Sequence, residues 1–276
     1  MSHSLSPVLH RAAYVALGLP GWSYDRIECD DAALPGLVAG LGPEWVGLSV
    51  TMPGKRAALG VAVSVSDAAA AVGAANTLVR VPDGWLADCT DVDGVVGALN
   101  GCLDGVLPAP GLTAPGPVRS AVVLGGGGTA AAAVVGLARL GVASVTVVVR
   151  SAARAADVLA AAGRVGVGVT VEPWSALATL RADVLVSTVP AGVVDPVAAE
   201  AAAVAPAVLD VVYHPWPTPL AHAVAAAGGR LATGLDMLLH QAFGQVTLFT
   251  GHPAPRSAMR SALRAAVGDH CPPLPL

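Results

Sequence analysis

"VVLGGGGTAAAAVVGLARLG", Val122 to Gly141, decides how the rest of the chain is read. It opens as an apolar strand, passes through four glycines and continues as a helix of small residues. The spacing Gly125-x-Gly127-x-x-Ala130, set between strand and helix, suits a dinucleotide. Glycines permit the tight turn and let backbone N–H groups at the helix N-terminus approach a pyrophosphate. Taken alone, the same letters describe a packing turn; the strand before and the helix after favour the phosphate site. Ala121 to Ala138 carries no charge and reaches the roughly 18 apolar residues of a membrane span. Four consecutive glycines would cost such a helix on the order of 1 kcal/mol each, so a strand–turn–helix is expected and a membrane partner is not.

Working outward, the next strand bears on which dinucleotide binds. An NAD site places Asp or Glu at its end, on the ribose 2′-hydroxyl. "SVTVVVRSAAR" has Arg150 there, followed by Ser151 and Arg154. A guanidinium fits a 2′-phosphate, and cations are unfavourable in a helix's first turn unless an anion is bound. NADP is therefore the expected cofactor. Further on, "VGVTVEP", "ADVLVSTVP" and "PAVLDVVYH" read as apolar strands alternating with helices, and "SAARAADVLAAAG" as one helix. Such alternation implies a parallel sheet covered on both faces. "GVLPAPGLTAPGPV", Gly105 to Val118, is a Pro- and Gly-rich connection between domains. Before it come a helix in "SPVLHRAAYVALGL", strands in "EWVGLSVT", "ANTLVRV" and "WLADCTD", and a helix in "VDGVVGALNGC". The two final helices, "DMLLHQAFGQVTLFTG" and "PRSAMRSALRAAVG", are expected to pack back on the first domain.

Composition narrows the partners. Net charge is −4, only 12% of the 276 residues are charged, and no basic block offers a footprint for nucleic acid. The start lacks the basic and apolar segments of a signal peptide, which points to the cytoplasm. The cysteines, Cys29, Cys89, Cys102 and Cys271, are scattered without CxxC pairing, so neither a metal site nor a disulfide framework is expected.

Lys55 is the only lysine in the chain, placed just past "GLSVTMPG". Burial and neighbouring charges tune a lysine for proton transfer, whereas arginine stays protonated. An aspartate opposite it would complete the pair, and Asp91 in "DCTDVDG" is the candidate. Other polar groups stand at turns and strand ends: Ser4 and Ser6 before the first helix, Thr51, and Asn76 with Thr77 inside an apolar run. Each has a plainer use, with Ser6 as a helix cap, Asn76 in a turn and Asp91 or Asp93 capping the helix that follows.

"HSLSPVLH", "GLSVTMPGK", "AVGAANTL", "CTDVDG", "VLGGGGTA", "DVVYHPWPTPL" and "GLDMLLHQAF" resemble, in order, the motifs of the shikimate dehydrogenase family, from His3 to about Gly251. The resemblance implies an α/β chain of two domains. Residues 1–100, with 236–276, would form an α/β substrate-binding domain. Residues 101–235 would form a Rossmann-like, doubly wound parallel sheet that binds NADP. It implies NADPH-dependent reduction of 3-dehydroshikimate to shikimate and the reverse, by a monomer or homodimer. Lys55 and Asp91 would be catalytic. Ser4, Ser6, Thr51, Asn76, Tyr213 and Gln241 would bind the substrate. Gly125, Gly126, Gly127, Gly128, Thr129, Ala130, Arg150, Ser151, Arg154, Thr188, Gly234 and Met237 would bind the cofactor.

The chain departs from the family pattern in three places. The strand that usually precedes the serine motif is absent, from a late start or a sheet lacking a member, which would expose its neighbour's edge. Ser49 and Cys89 stand where Asn is frequent, and Val149 precedes Arg150 in place of Asn. Quinate or an aminoshikimate is the alternative substrate, and a non-catalytic ligand sensor on the same scaffold is the alternative of another class.

Overall fold

The computed structural model describes residues 4–103 and 118–268. The expected connection from Gly105 lies outside the described residues up to Pro117, and so does Cys271. The described residues divide into two compact units. One holds those up to Gly94 together with those from Leu238 onward; the other holds those from Val95 to Met237.

The first unit begins with α1 (Ser6–Ala16) and α2 (Leu34–Ala39). Then come β1 (Gly47–Ser49), α3 (Ala57–Gly60), β2 (Ser64–Val65), α4 (Asp67–Val72), β3 (Thr77–Val81), β4 (Gly84–Asp88) and α5 (Asp91–Leu103), whose later turns belong to the second unit. Its sheet is four-stranded in the order β1-β3-β4-β2. A tight turn through Pro82 and Asp83 pairs β3 with β4 antiparallel, Val81 opposite Gly84. β1 is shorter than expected and pairs with β3 alone, so its other edge carries no strand among the described residues. One expectation is corrected: Ser6 does not cap α1. Leu5 is the cap residue and makes no side-chain cap hydrogen bond, which leaves the Ser6 hydroxyl available for other partners.

The second unit runs β5 (Ser120–Leu124), α6 (Gly128–Arg139), β6 (Ser144–Val149), α7 (Ala156–Val165), β7 (Gly168–Pro173) and β8 (Val184–Ser187). It continues through α8 (Ala198–Ala202), β9 (Ala207–Asp210), α9 (Pro219–Ala226), β10 (Arg230–Thr233) and the first turn of α10 (Gly234–Thr250). Six parallel strands lie in the order β10-β9-β8-β5-β6-β7. That is a doubly wound sheet, whose order reverses between β5 and β8; ligands of such sheets bind beyond the strands' carboxyl ends at that point. β8 and β9 are buried at every residue, while β7 alternates exposed and half-buried because it is an edge strand. The expectation of full burial fails there. The helix expected from Ser151 begins instead as a 3₁₀ turn over Ala152–Ala155, where the strand exit bends before α7 starts.

The alanine bias now has a use. Ala130 to Leu137 of α6 is buried without a break, so small side chains let the helix axis approach the sheet closely. In the first unit, α11 (Arg256–Val267) packs on α1. From Leu238 onward the described residues of α10 and α11 group with the first unit. No helix of the described residues is long and apolar enough to cross a membrane.

Candidate active site

Four elements of the first unit bring one polar cluster together. Lys55 leaves the turn after β1, its backbone held where Ala75 N–H donates to Lys55 O at 2.8 Å. Asn76 immediately precedes β3, Asp91 opens α5, and Gln241 lies on α10. Lys55 Nζ donates to Asp91 Oδ2, and both side chains are almost out of water, at 13% and 10% exposure. Asn76 Nδ2 donates to Asp91 Oδ1 at 2.9 Å and approaches Gln241 Oε1 at 3.3 Å. Gln241 Nε2 is turned to Leu238 O at 3.0 Å.

Burial disfavours the Lys55 charge, but the Asp91 carboxylate beside it outweighs that and holds the ammonium's pKa above its ordinary range. Cys89, beside the pair, has its thiol pushed up to about 12 by burial and then by Asp91. It stays protonated and takes no nucleophilic part. Among the described residues no group of three or more His, Cys, Asp or Glu could hold a metal ion.

The serines lie on the same unit. Ser4 Oγ accepts Ser6 N–H at 3.4 Å, and Arg26 donates to Ser4 O. Ser6 and Ser49 both hydrogen-bond the Tyr24 side chain, whose hydroxyl pKa is raised by burial. Thr51 is exposed, two residues beyond β1.

Several polar residues of this unit escaped the sequence reading: His10, Tyr24, Thr90 and Gln245. His10 is fully buried, stacks on Tyr24 with centroids 4.2 Å apart and meets Gln245 Oε1 at 3.2 Å. The signal that could have found Gln245 is its spacing, four residues after Gln241 on an otherwise apolar helix face.

Burial lowers the His10 pKa from 6.5 to about 4, against the pull of its Gln245 hydrogen bond. Its folded-state value is therefore depressed, so the unfolded chain binds the extra proton between those values. His10 contributes full stability above pH 6.5, and loses it as pH falls toward 4. The loss approaches ~3 kcal/mol. Urea unfolding at pH 7 and pH 4.5 should show the drop, and His10→Gln should shrink it. An unchanged drop in that variant would contradict the assignment.

In the second unit the glycine turn sorts into distinct tasks. Gly125 has φ +110°, and a Cβ there would lie 2.6 Å from Thr188 Oγ1. Thr188 closes the turn by donating to Leu124 O at 2.7 Å. A Cβ on Gly126 would lie 2.0 Å from Arg154 O, so the 3₁₀ turn fits only against glycine. Gly127 caps α6, and neither it nor Gly128 would carry a Cβ within 4 Å of any atom. Open space thus stands before the unbonded N–H groups of the first turn, with Thr129 half-buried and Ala130 fully buried behind it. Arg150, Ser151 and Arg154 are all exposed at the end of β6. An exposed guanidinium in place of a carboxylate, beside an open glycine turn, fits a phosphorylated dinucleotide. Tyr213 is half-buried with its ring against Gly234, and Met237 is buried in this unit's core.

Known proteins match this arrangement over nearly the whole chain. A family model described as the shikimate dehydrogenase substrate binding domain matches residues 1–78. A second, the shikimate 5'-dehydrogenase C-terminal domain, matches residues 234–264. A shikimate dehydrogenase (NADP(+)) of Methylobacterium radiotolerans is 38% identical over 267 residues, covering 93% of this chain and 90% of its own. Among solved structures, shikimate dehydrogenase of Mycobacterium tuberculosis superposes with a TM-score of 0.85 at 55% identity, covering 96% of both chains. Shikimate 5-dehydrogenase of Thermus thermophilus, in complex with NADP(H) and shikimate, gives 0.77 at 32% identity, over 96% of this chain and 95% of that one. With its parallel sheet, glycine turn and buried lysine–aspartate pair, the chain belongs to the shikimate dehydrogenase family.

Proposed function

We propose that the protein catalyses NADPH-dependent reduction of 3-dehydroshikimate to shikimate, and its reverse. The buried Lys55–Asp91 pair carries the reading, because a ligand sensor has no use for a proton donor kept out of water with its own counter-ion. The names of the relatives and the ligands of the Thermus thermophilus structure support it.

Bound NADPH supplies the hydride. Lys55, held protonated by Asp91, donates a proton to the oxygen on which charge develops. Asp91 orients the ammonium and accepts from the neighbouring hydroxyl. Asn76 and Gln241 offer amide groups to the ring hydroxyls, and Ser4, Ser6 and Thr51 hold the carboxylate. A pocket of this kind rejects analogues that leave a buried amide unpaired. In the second unit, the open turn at Gly127 and Gly128 would take the pyrophosphate and Arg150, with Ser151 and Arg154, the 2′-phosphate. Tyr213 and Gly234 are assigned to the nicotinamide side.

Initial rates with shikimate or quinate, each with NADP or NAD, test the reading. Shikimate with NADP should give the highest kcat/KM. Arg150→Ala should raise the KM for NADP about 10- to 100-fold, the value of a charge-assisted hydrogen bond, and leave that for NAD nearly unchanged. Preference for quinate or for NAD in the wild-type protein would overturn the specificity.

A further inference from the structure

Gln245 is 1% exposed and stands one helical turn beyond Gln241. Its amide meets four partners. Nε2 donates to Asn76 O at 3.2 Å and to Thr77 Oγ1 at 3.0 Å. Oε1 accepts from Ser49 Oγ at 2.8 Å and lies 3.2 Å from His10 Nε2. An amide oxygen cannot donate, so His10 carries its proton on Nε2 and turns an unprotonated Nδ1 toward the Tyr14 hydroxyl, 3.5 Å away.

That direction propagates through a fixed count of hydrogens. Thr77 has one hydroxyl hydrogen and already receives one from Gln245. Its own hydrogen goes to Asn76 Oδ1 at 2.8 Å, an oxygen that can only accept and that also takes Thr90 N–H at 2.8 Å. With two donors on its oxygen, the Asn76 amide must present Nδ2 to Asp91 Oδ1, at 2.9 Å. The buried path His10, Gln245, Thr77, Asn76 thus aims every donor toward Asp91, whose other oxygen holds Lys55.

We propose that Gln245 is a positioning residue for the proton-transfer pair: by holding both the Asn76 carbonyl and the Thr77 hydroxyl that donates to Asn76 Oδ1, it supports the Asn76 amide nitrogen in its place on Asp91. The inference deepens the proposed function and rests on its assignment of Lys55 and Asp91. Removal of the Gln245 amide or of the Thr77 hydroxyl takes one support from Asn76 and loosens its position, which weakens its hold on a ring hydroxyl and unsettles the Asp91 carboxylate.

Gln245→Met, Thr77→Val and Thr77→Ser test this together. Gln245→Met and Thr77→Val should each raise the KM for shikimate about tenfold and lower kcat about tenfold, one lost buried hydrogen bond at each step. The KM for NADP should stay within about twofold. Thr77→Ser keeps the hydroxyl and should restore wild-type values. Lys55 is the only lysine, so protein made with ε-13C-lysine gives one side-chain signal. That signal should move in Thr77→Val and not in Thr77→Ser, a distinction that mere loss of packing does not make. If wild-type protein turns over shikimate while both disruptive variants keep wild-type kcat, KM and lysine signal, the inference fails and the function stands. If wild-type protein does not turn over shikimate, the function fails, and the lysine signal of the Thr77 pair decides the relay alone. Should Gln245→Met not fold, the Thr77 pair again decides.

Discussion

Lys55→Met is expected to lower kcat for shikimate oxidation by roughly 10²- to 10⁴-fold, the usual contribution of a positioned acid or base. Methionine keeps the length of the side chain and removes the transferable proton. The same change leaves Asp91 nearly buried without its cation, at a cost of about 3–5 kcal/mol. Loss of rate and loss of fold must therefore be separated. Lys55→Met/Asp91→Asn removes both charges and should recover most of the stability without recovering activity. The pH dependence carries the same signature. Because Asp91 raises the Lys55 pKa, oxidation, which needs the unprotonated amine, should still be rising above about pH 9, whereas reduction should be flat over neutral pH. Recovery of wild-type rates in either variant, or an oxidation rate flat from pH 6 to 10, would remove Lys55 from the chemistry.

Gly126→Ala is expected to damage fold and cofactor binding together. The new Cβ would sit 2.0 Å from Arg154 O and 2.8 Å from Arg154 C. Both are backbone atoms, so relief requires the 3₁₀ turn or the glycine turn to move. Overpacking of this kind costs on the order of 3 kcal/mol, and displacement of Arg154 and its neighbours should weaken NADP binding by about 100-fold or more. Gly127→Ala gives the contrast. Its Cβ meets no atom within 4 Å, so stability should stay within about 0.5 kcal/mol, while the methyl group stands where a pyrophosphate would come. Calorimetric NADP titrations and thermal unfolding on both variants check the pair. Equal behaviour would show that the turn does not divide its glycines between packing and ligand.

Much of the second unit was legible because each of its signals repeats: apolar strand, turn, small-residue helix. The glycine turn supplied both a boundary and a chemistry. What stayed hidden was set by tertiary pairing. β2 has two residues and β1 three, too short for any period to emerge, and the exposure of β7 depends on its place at the sheet edge. In the site, Lys55 stood out by being alone of its kind, and Asp91 by the helix it opens. Thr77 stood out only as a polar break in an apolar run, and Thr90 and His10 looked like ordinary members of their stretches. Their hydroxyl and ring groups gain meaning only when α10 brings Gln245 against Asn76, a contact across 169 residues of chain. Ser6 was misread as a cap because the first turn of α1 looks capped in sequence, whereas its hydroxyl is bonded to Tyr24 instead.

The lone lysine allows the most direct test. Protein labelled with ε-13C-lysine should show one side-chain signal, and shikimate titrated into it with NADP absent should shift that signal to saturation. Asp91→Asn should alter the starting position. A signal that does not move at shikimate concentrations that saturate turnover would contradict the placement of Lys55 at the reacting oxygen.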